Sequence, residues 1–144
     1  MTKPICRDQQ IDLLTLYLGL DVDQSQLPEL VLVQGVGGTA KTLTLRWLLS
    51  EHPVSHAFVD CVESYQPKLL FQSILSQLSD DESEQVKCEN VSDFTRMIGE
   101  VVERRAVIVL ENGERLRDDL TLLSVFTRLQ EMSGANVSVV IETR

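Results

Sequence analysis

The sequence predicts an α/β fold built on a buried parallel sheet, and three observations predict it. Four short runs, "LVLV", "HAFVDC", "AVIVL" and "NVSVVIETR", read as strands, and "LVLV" is too continuously apolar for a strand with one wet face. Longer segments with apolar residues at helical spacing alternate with them, which is the signature of strand–helix–strand units. A glycine-rich turn joins the first run directly to a helix, within "ELVLVQGVGGTAKTLTLRWLLS" at Glu29–Ser50.

The elements follow in order. "RDQQIDLLTLYLGL" places Ile11, Leu14 and Leu18 on one face and predicts a helix from about Asp8 to Leu20. A polar connection with Pro28 leads to the strand Leu30–Val33, expected to be buried on both sides. Leu43, Leu45, Leu48 and Leu49 mark the next helix, which carries Trp47 and is closed by Pro53. His56–Cys61 is the second strand. Pro67 sits near a first-turn position of a helix whose core face is Leu70, Phe71, Ile74, Leu75 and Leu78. "SDDESEQVKCEN" is an acidic connection, a solvated loop rather than a binding tail. Ser92 is expected to cap a helix burying Phe94, Met97, Ile98, Val101 and Val102. Ala106–Leu110 is the third strand, "DDLTLLSVFTRLQEM" one amphipathic helix stopped by Gly134, and "NVSVVIETR" the fourth strand.

Composition excludes several classes. With 144 residues, 43% hydrophobic and 24% charged, the chain suits a single globular domain. No apolar run approaches the ~18 residues of a membrane span, and the N-terminus lacks the apolar core of a signal peptide. The three cysteines Cys6, Cys61 and Cys88 are far apart, without metal-ligand spacing, and fit reduced thiols. His52 and His56 flank Pro53 and suggest no metal site. A net charge of −9 means the domain as a whole is not drawn to a polyphosphate; any grip on DNA comes from a local patch or from partners.

The glycine turn carries the chemistry. A phosphate-binding loop reads G-x-x-x-x-G-K-[ST], and Gly35, Val36, Gly37, Gly38, Thr39, Ala40, Lys41 and Thr42 match it at every fixed position but Ala40. Backbone N–H groups of such a turn, with the helix N-terminus behind them, form an anion nest. Lys41 would reach the terminal phosphates and the Thr42 hydroxyl would ligate Mg²⁺. Ala40 adds a methyl group where backbone must approach phosphate, and costs roughly 1 kcal/mol if the position needs φ > 0. This favours weakened over lost binding. The plainer alternative is a glycine-rich turn whose Lys41 and Thr42 merely begin a helix.

A nucleotide-hydrolysing domain also needs a carboxylate at the end of a second buried strand and an acidic residue to polarise the attacking water. In "VIVLENGERL", Glu111 is the metal-side carboxylate, one methylene longer than an aspartate. The base position holds Asn112, and an amide cannot accept a proton at useful pH. Glu114 lies nearby with no reason to be aimed at the γ-phosphate. The site predicted is Lys41, Thr42 and Glu111 around Mg·ATP, with no catalytic residue: binding without appreciable turnover. The bland alternative makes Glu111 and Asn112 a polar strand end.

With these residues placed, the chain resembles the family of fifth subunits of the eukaryotic origin recognition complex, in their N-terminal AAA+ ATPase-like domain. "CRDQQ" at Cys6–Gln10, the glycine loop, "FVDCVESYQPKLLFQSIL", "VIVLENGERLRD" and "NVSVVIETR" carry the resemblance, which spans essentially the whole chain. It implies a three-layer P-loop NTPase (AAA+) core with sheet order 5-1-4-3-2, and ATP held as a stable ligand. It also implies a helical lid and a winged-helix domain. By position it puts Thr143 where a polar sensor residue contacts the γ-phosphate, and Cys6 and Arg7 near the adenine. Ala40 and Glu111 depart from the family's usual glycine and aspartate. Implied partners are the other subunits of the complex and, through the assembled complex, origin DNA in the nucleus, with no membrane.

On this resemblance residues 1–144 form a partial AAA+ domain, ending before the fifth strand and the lid, with an apolar sheet edge left to associate. Arg104 and Arg105 read as helix C-terminal dipole partners. Arg115 and Arg117 are surface residues or reach a neighbouring subunit. The rival readings are a scaffold subunit with a decayed nucleotide site and an unrelated P-loop NTPase.

Overall fold

The computed structural model describes residues 8–20, 27–35, 41–52, 54–63, 66–79, 88 and 90–143. They form α1 (Asp8–Leu18), β1 (Leu30–Gln34), α2 (Lys41–Ser50), β2 (Ser55–Asp60), α3 (Pro67–Leu78), α4 (Val91–Val101), β3 (Ala106–Glu111), a 3-10 helix (Gly113–Asp118), α5 (Leu120–Thr127), α6 (Leu129–Ser133) and β4 (Val137–Thr143). The four strands make one all-parallel sheet in the order β1-β4-β3-β2.

Strand alternation divides the core into two layers. Phe58, Val107, Val109 and Val140 face α1 and α2, where Ile11, Leu18, Leu45, Leu48 and Leu49 are buried. Ala57, Val59, Ile108, Leu110, Val139 and Ile141 face α3 to α6, where Phe71, Phe94 and Phe126 form the largest packed group. Helices on both faces of a parallel sheet are the three-layer arrangement expected.

The two sheet edges are finished differently. On the β2 edge, the Phe58 N–H donates to Gln77 Oε1 at 2.8 Å and Gln77 Nε2 donates back to the Phe58 carbonyl at 2.9 Å. One amide side chain from α3 thus pairs an edge residue twice, which blunts it as a template. The β1 edge is open among the described residues: Leu30 is 39% and Leu32 60% exposed. This corrects the expectation that β1 is buried on both sides. Val31 and Val33 pack partly against the α1–α2 layer, but no described helix covers Leu30 and Leu32.

Other differences are local. Helix α1 ends at Leu18 rather than Leu20, because Gly19 turns the backbone left-handed at φ 61°. Helix α4 is capped by Asn90, whose side chain accepts from the Asp93 N–H at 2.9 Å, not by Ser92, which lies inside the first turn. The single helix expected over 118–132 is two pieces, α5 capped by Asp119 and α6 after a break at Arg128, and a 3-10 helix precedes them. Gly134 ends α6 at φ 69°, as its position predicted. Arg105 does serve a helix C-terminus, but that of α1: buried, it donates to the Gly19 carbonyl at 3.1 Å across 86 residues. The stretch 80–87 lies outside the described residues.

Candidate nucleotide-binding site

The C-terminal ends of β1, β3 and β4 converge beside the N-terminus of α2, where ligands bind in open parallel sheets. Register places Val33 opposite Glu142 and Gln34 opposite Thr143, and the Gly35 N–H donates to the Thr143 carbonyl at 3.1 Å. β1 is therefore held to β4 until the chain leaves the sheet at Gly35. Lys41 is the first residue of α2, and its Nζ donates to the Gly35 carbonyl at 2.7 Å. The loop's first glycine and its lysine are thus in direct contact. Val36, Gly37, Gly38, Thr39 and Ala40 lie outside the described residues, as do Cys6 and Arg7.

A cavity of about 260 Å³ opens here, lined by Gln10, Leu14, Val33, Gln34, Gly35, Lys41, Thr44 and Leu45. Gln10 and Leu14 come from α1, so the helix that begins just after Cys6 and Arg7 reaches the same cavity as Lys41. Gln10 belongs to the quoted "CRDQQ" but was not itself singled out, and Thr44 carried no sequence signal.

The Thr42 hydroxyl is already engaged. It donates to Glu142 Oε2 at 2.8 Å, and Glu142, 4% exposed, has its other oxygen Oε1 buried with no hydrogen-bond partner. Burial pushes the Glu142 carboxyl above its ordinary range; the Thr42 bond opposes this, and Glu111 adds to it. Sequence reasoning missed Glu142, although it is a charged residue near the end of an otherwise apolar strand. Thr143, the next residue, projects to the opposite face, where it lines a groove with Leu30, Leu32, Gln34 and Gly113.

Glu111 ends β3, where it was expected, and faces Arg46, whose guanidinium lies 3.6 Å from Oε1. Arg46 stands one turn beyond Thr42 on α2 and rests over the Phe58 ring at 4.3 Å, a cation–π contact that fixes its direction. Burial raises the Glu111 carboxyl, Arg46 lowers it, and Asp60 raises it further. Glu111 is thus a half-buried carboxylate neutralised from α2.

Asn112 is the one non-glycine residue at positive φ among the described residues, at φ 56°, ψ 46°. Asparagine tolerates this region, which costs other L-residues roughly 1–2 kcal/mol. Its Nδ2 donates to Asp60 Oδ1 at 2.8 Å, and the same oxygen accepts from the Val62 N–H at 2.8 Å. The amide at the base position ties the end of β3 to the end of β2. Next along, Gly113 leaves no room for a side chain: a Cβ there would run into the Ile141 side chain and stand 3.2 Å from the Glu142 carbonyl. Gly113→Ala is expected to destabilise the fold by about 1–3 kcal/mol in denaturant melts, by forcing β4 away from the turn. Beside this turn, burial and the carboxylates of Asp60, Glu114 and Glu111 push the Cys61 thiol up to about 11, so it stays protonated. Cys61 and Cys88 are both buried, and the Cys88 thiol donates to the Asn90 carbonyl at 3.6 Å.

The residues present fit a nucleotide with a divalent cation. A lysine reaches back to the first loop glycine, and a hydroxyl at the helix start meets a buried carboxylate whose second oxygen has no partner. Lys41 and Gly35 would hold phosphate, while Thr42 and the carboxylates of Glu111 and Glu142 would face the metal. A divalent cation held there would offset the phosphate charge.

A parallel sheet whose edge strand β1 runs into Gly35, with α2 starting at Lys41 and carboxylates at the ends of β4 and β3, defines a P-loop type nucleotide-binding domain. The AAA ATPase domain family matches residues 3–141, and the chain belongs to that family. It is 32% identical over 148 residues to the human origin recognition complex subunit 5 and 31% identical over 147 residues to the Drosophila melanogaster one, each match covering 94% of this chain. The chain spans about a third of those relatives' length, 34% and 31%. A chain in a structure of the Drosophila origin recognition complex bound to DNA superimposes with a TM-score of 0.88 at 29% identity, over 97% of this chain and 38% of that one. Among the described residues no helix is long and apolar enough to cross a membrane.

Proposed function

We propose that the chain is the nucleotide-binding domain of an origin recognition complex subunit that holds Mg·ATP without appreciable hydrolysis. Asn112 carries this reading. Its side chain is committed to Asp60 and its backbone to a left-handed turn, so the position where an ATPase keeps its glutamate offers neither a base nor a backbone that suits one. Gly35, Lys41, Thr42 and Glu111 support the binding half of the proposal, and Cys6, Arg7, Val36–Ala40 and Thr143 remain in the proposed nucleotide set. The likeness to the two subunit 5 relatives supports partners among the other subunits of such a complex. It also supports origin DNA contacted through the assembly, in the nucleus, in the initiation of replication. The exposed Leu30 and Leu32 support a partial AAA+ domain that takes a fifth strand on the β1 side; a lid and a winged helix in the whole protein are part of the same proposal.

Phosphate release from Mg·ATP should stay at the rate of buffer alone. Release well above that rate, abolished by changing Asn112, would refute the non-hydrolysing reading. A second reading, a scaffold subunit with a decayed site, is favoured by one observation: Lys41, Thr42 and Glu111 all have partners within the chain. It predicts no heat on titration with Mg·ATP.

A further inference from the structure

We propose that Glu142, at the end of β4, is the principal metal-side carboxylate of this site, in place of the Glu111 that the strand-end pattern designates. The inference rests on the nucleotide-binding reading above and adds a residue to it. Three observations carry it. The hydroxyl that would ligate the cation, Thr42 Oγ1, is bonded at 2.8 Å to Glu142 and not to Glu111. Glu142 is almost wholly buried, and its Oε1 has no hydrogen-bond partner, which leaves one carboxylate oxygen of this pair unused. Glu111, meanwhile, is taken by Arg46 at 3.6 Å, and Arg46 is itself seated on Phe58.

The topology explains how β4 can supply this group. It lies between β1 and β3, and register sets Glu142 beside Val33, two residues before the loop begins at Gly35. Its side chain enters the α2 layer, the side from which Thr42 comes. Magnesium with a nucleotide is usually held by one or two carboxylates besides the phosphates. Glu142 orients Thr42 through Oε2, and its Oε1 would be left to hold the cation, directly or through water. Lys41 and Arg46 are the cations that face it, and Glu111 the like charge.

The test compares ATP binding by calorimetry, with Mg²⁺ and with EDTA, for the unaltered chain, Glu142→Gln and Glu111→Gln. The glutamine keeps an oxygen for the Thr42 hydroxyl and removes only the charge. Glu142→Gln should weaken Mg·ATP binding about 10- to 100-fold, leave metal-free ATP binding unchanged, and lose more than Glu111→Gln. Mn²⁺ held with ATP, counted by electron paramagnetic resonance, should fall in parallel. Should the glutamine variant fold poorly by circular dichroism, Glu142→Asp keeps the charge at shorter reach and should show the same selective loss of the Mg²⁺ effect in smaller degree. Equal losses with and without Mg²⁺, no loss, or a larger loss for Glu111→Gln would overturn the proposal and leave the nucleotide reading standing. No ATP binding by the unaltered chain under either condition would overturn both.

Discussion

Lys41→Ala should weaken Mg·ATP binding by roughly 100-fold, about 3 kcal/mol, with little change in the folded structure. The ammonium group is the single cation that the phosphate-loop pattern places at the terminal phosphates, and in the structure it stands at the mouth of the cavity, 2.7 Å from the Gly35 carbonyl. Loss of its hydrogen bond to the Gly35 carbonyl costs the fold about 1 kcal/mol. Binding and stability should therefore separate: calorimetry shows the loss, while thermal melts move by a few degrees. An affinity unchanged by the substitution would mean that nucleotide, if it binds, does not use this loop.

Phe94→Ala should have the largest effect on folding, about 3–5 kcal/mol, against a typical domain stability of about 5–15 kcal/mol. The ring is fully buried, stacked on Phe71 with centroids 4.3 Å apart and planes at 16°, and meets Phe126 edge-on at 6.0 Å. These three rings join α3, α4 and α5 on the face away from the nucleotide site. Truncation leaves a cavity that three helices cannot close together, so denaturant midpoints should drop sharply. A loss under about 1 kcal/mol would show that this layer is looser than its contacts imply.

The sheet was legible because its physics is local. Runs such as "AVIVL" are buried on both faces, and residues 106–110 are indeed fully buried between two helical layers. The same rule failed for "LVLV", since a strand's burial depends on what covers it, and no described element covers Leu30 and Leu32. Caps and breaks were less legible. Asn90 outcompetes Ser92 because the preceding backbone is extended at Asn90, a fact of tertiary placement.

The site divides in the same way. Lys41 and Thr42 were found by spacing along the chain, and the structure sets Lys41 against Gly35. Glu142 and Arg46 were not found, because their roles depend on register between β1 and β4 and on one helical turn between Thr42 and Arg46. Asn112 was read as the absence of a base, which is chemistry visible in one letter. Its left-handed backbone and its bond to Asp60 needed the fold.

The most direct measurement is the identity of nucleotide bound to the protein after incubation with Mg·ATP and rapid removal of the excess. About one nucleotide per chain is expected, recovered as intact ATP after hours. Recovery of ADP with released phosphate, or of no nucleotide at all, would contradict it.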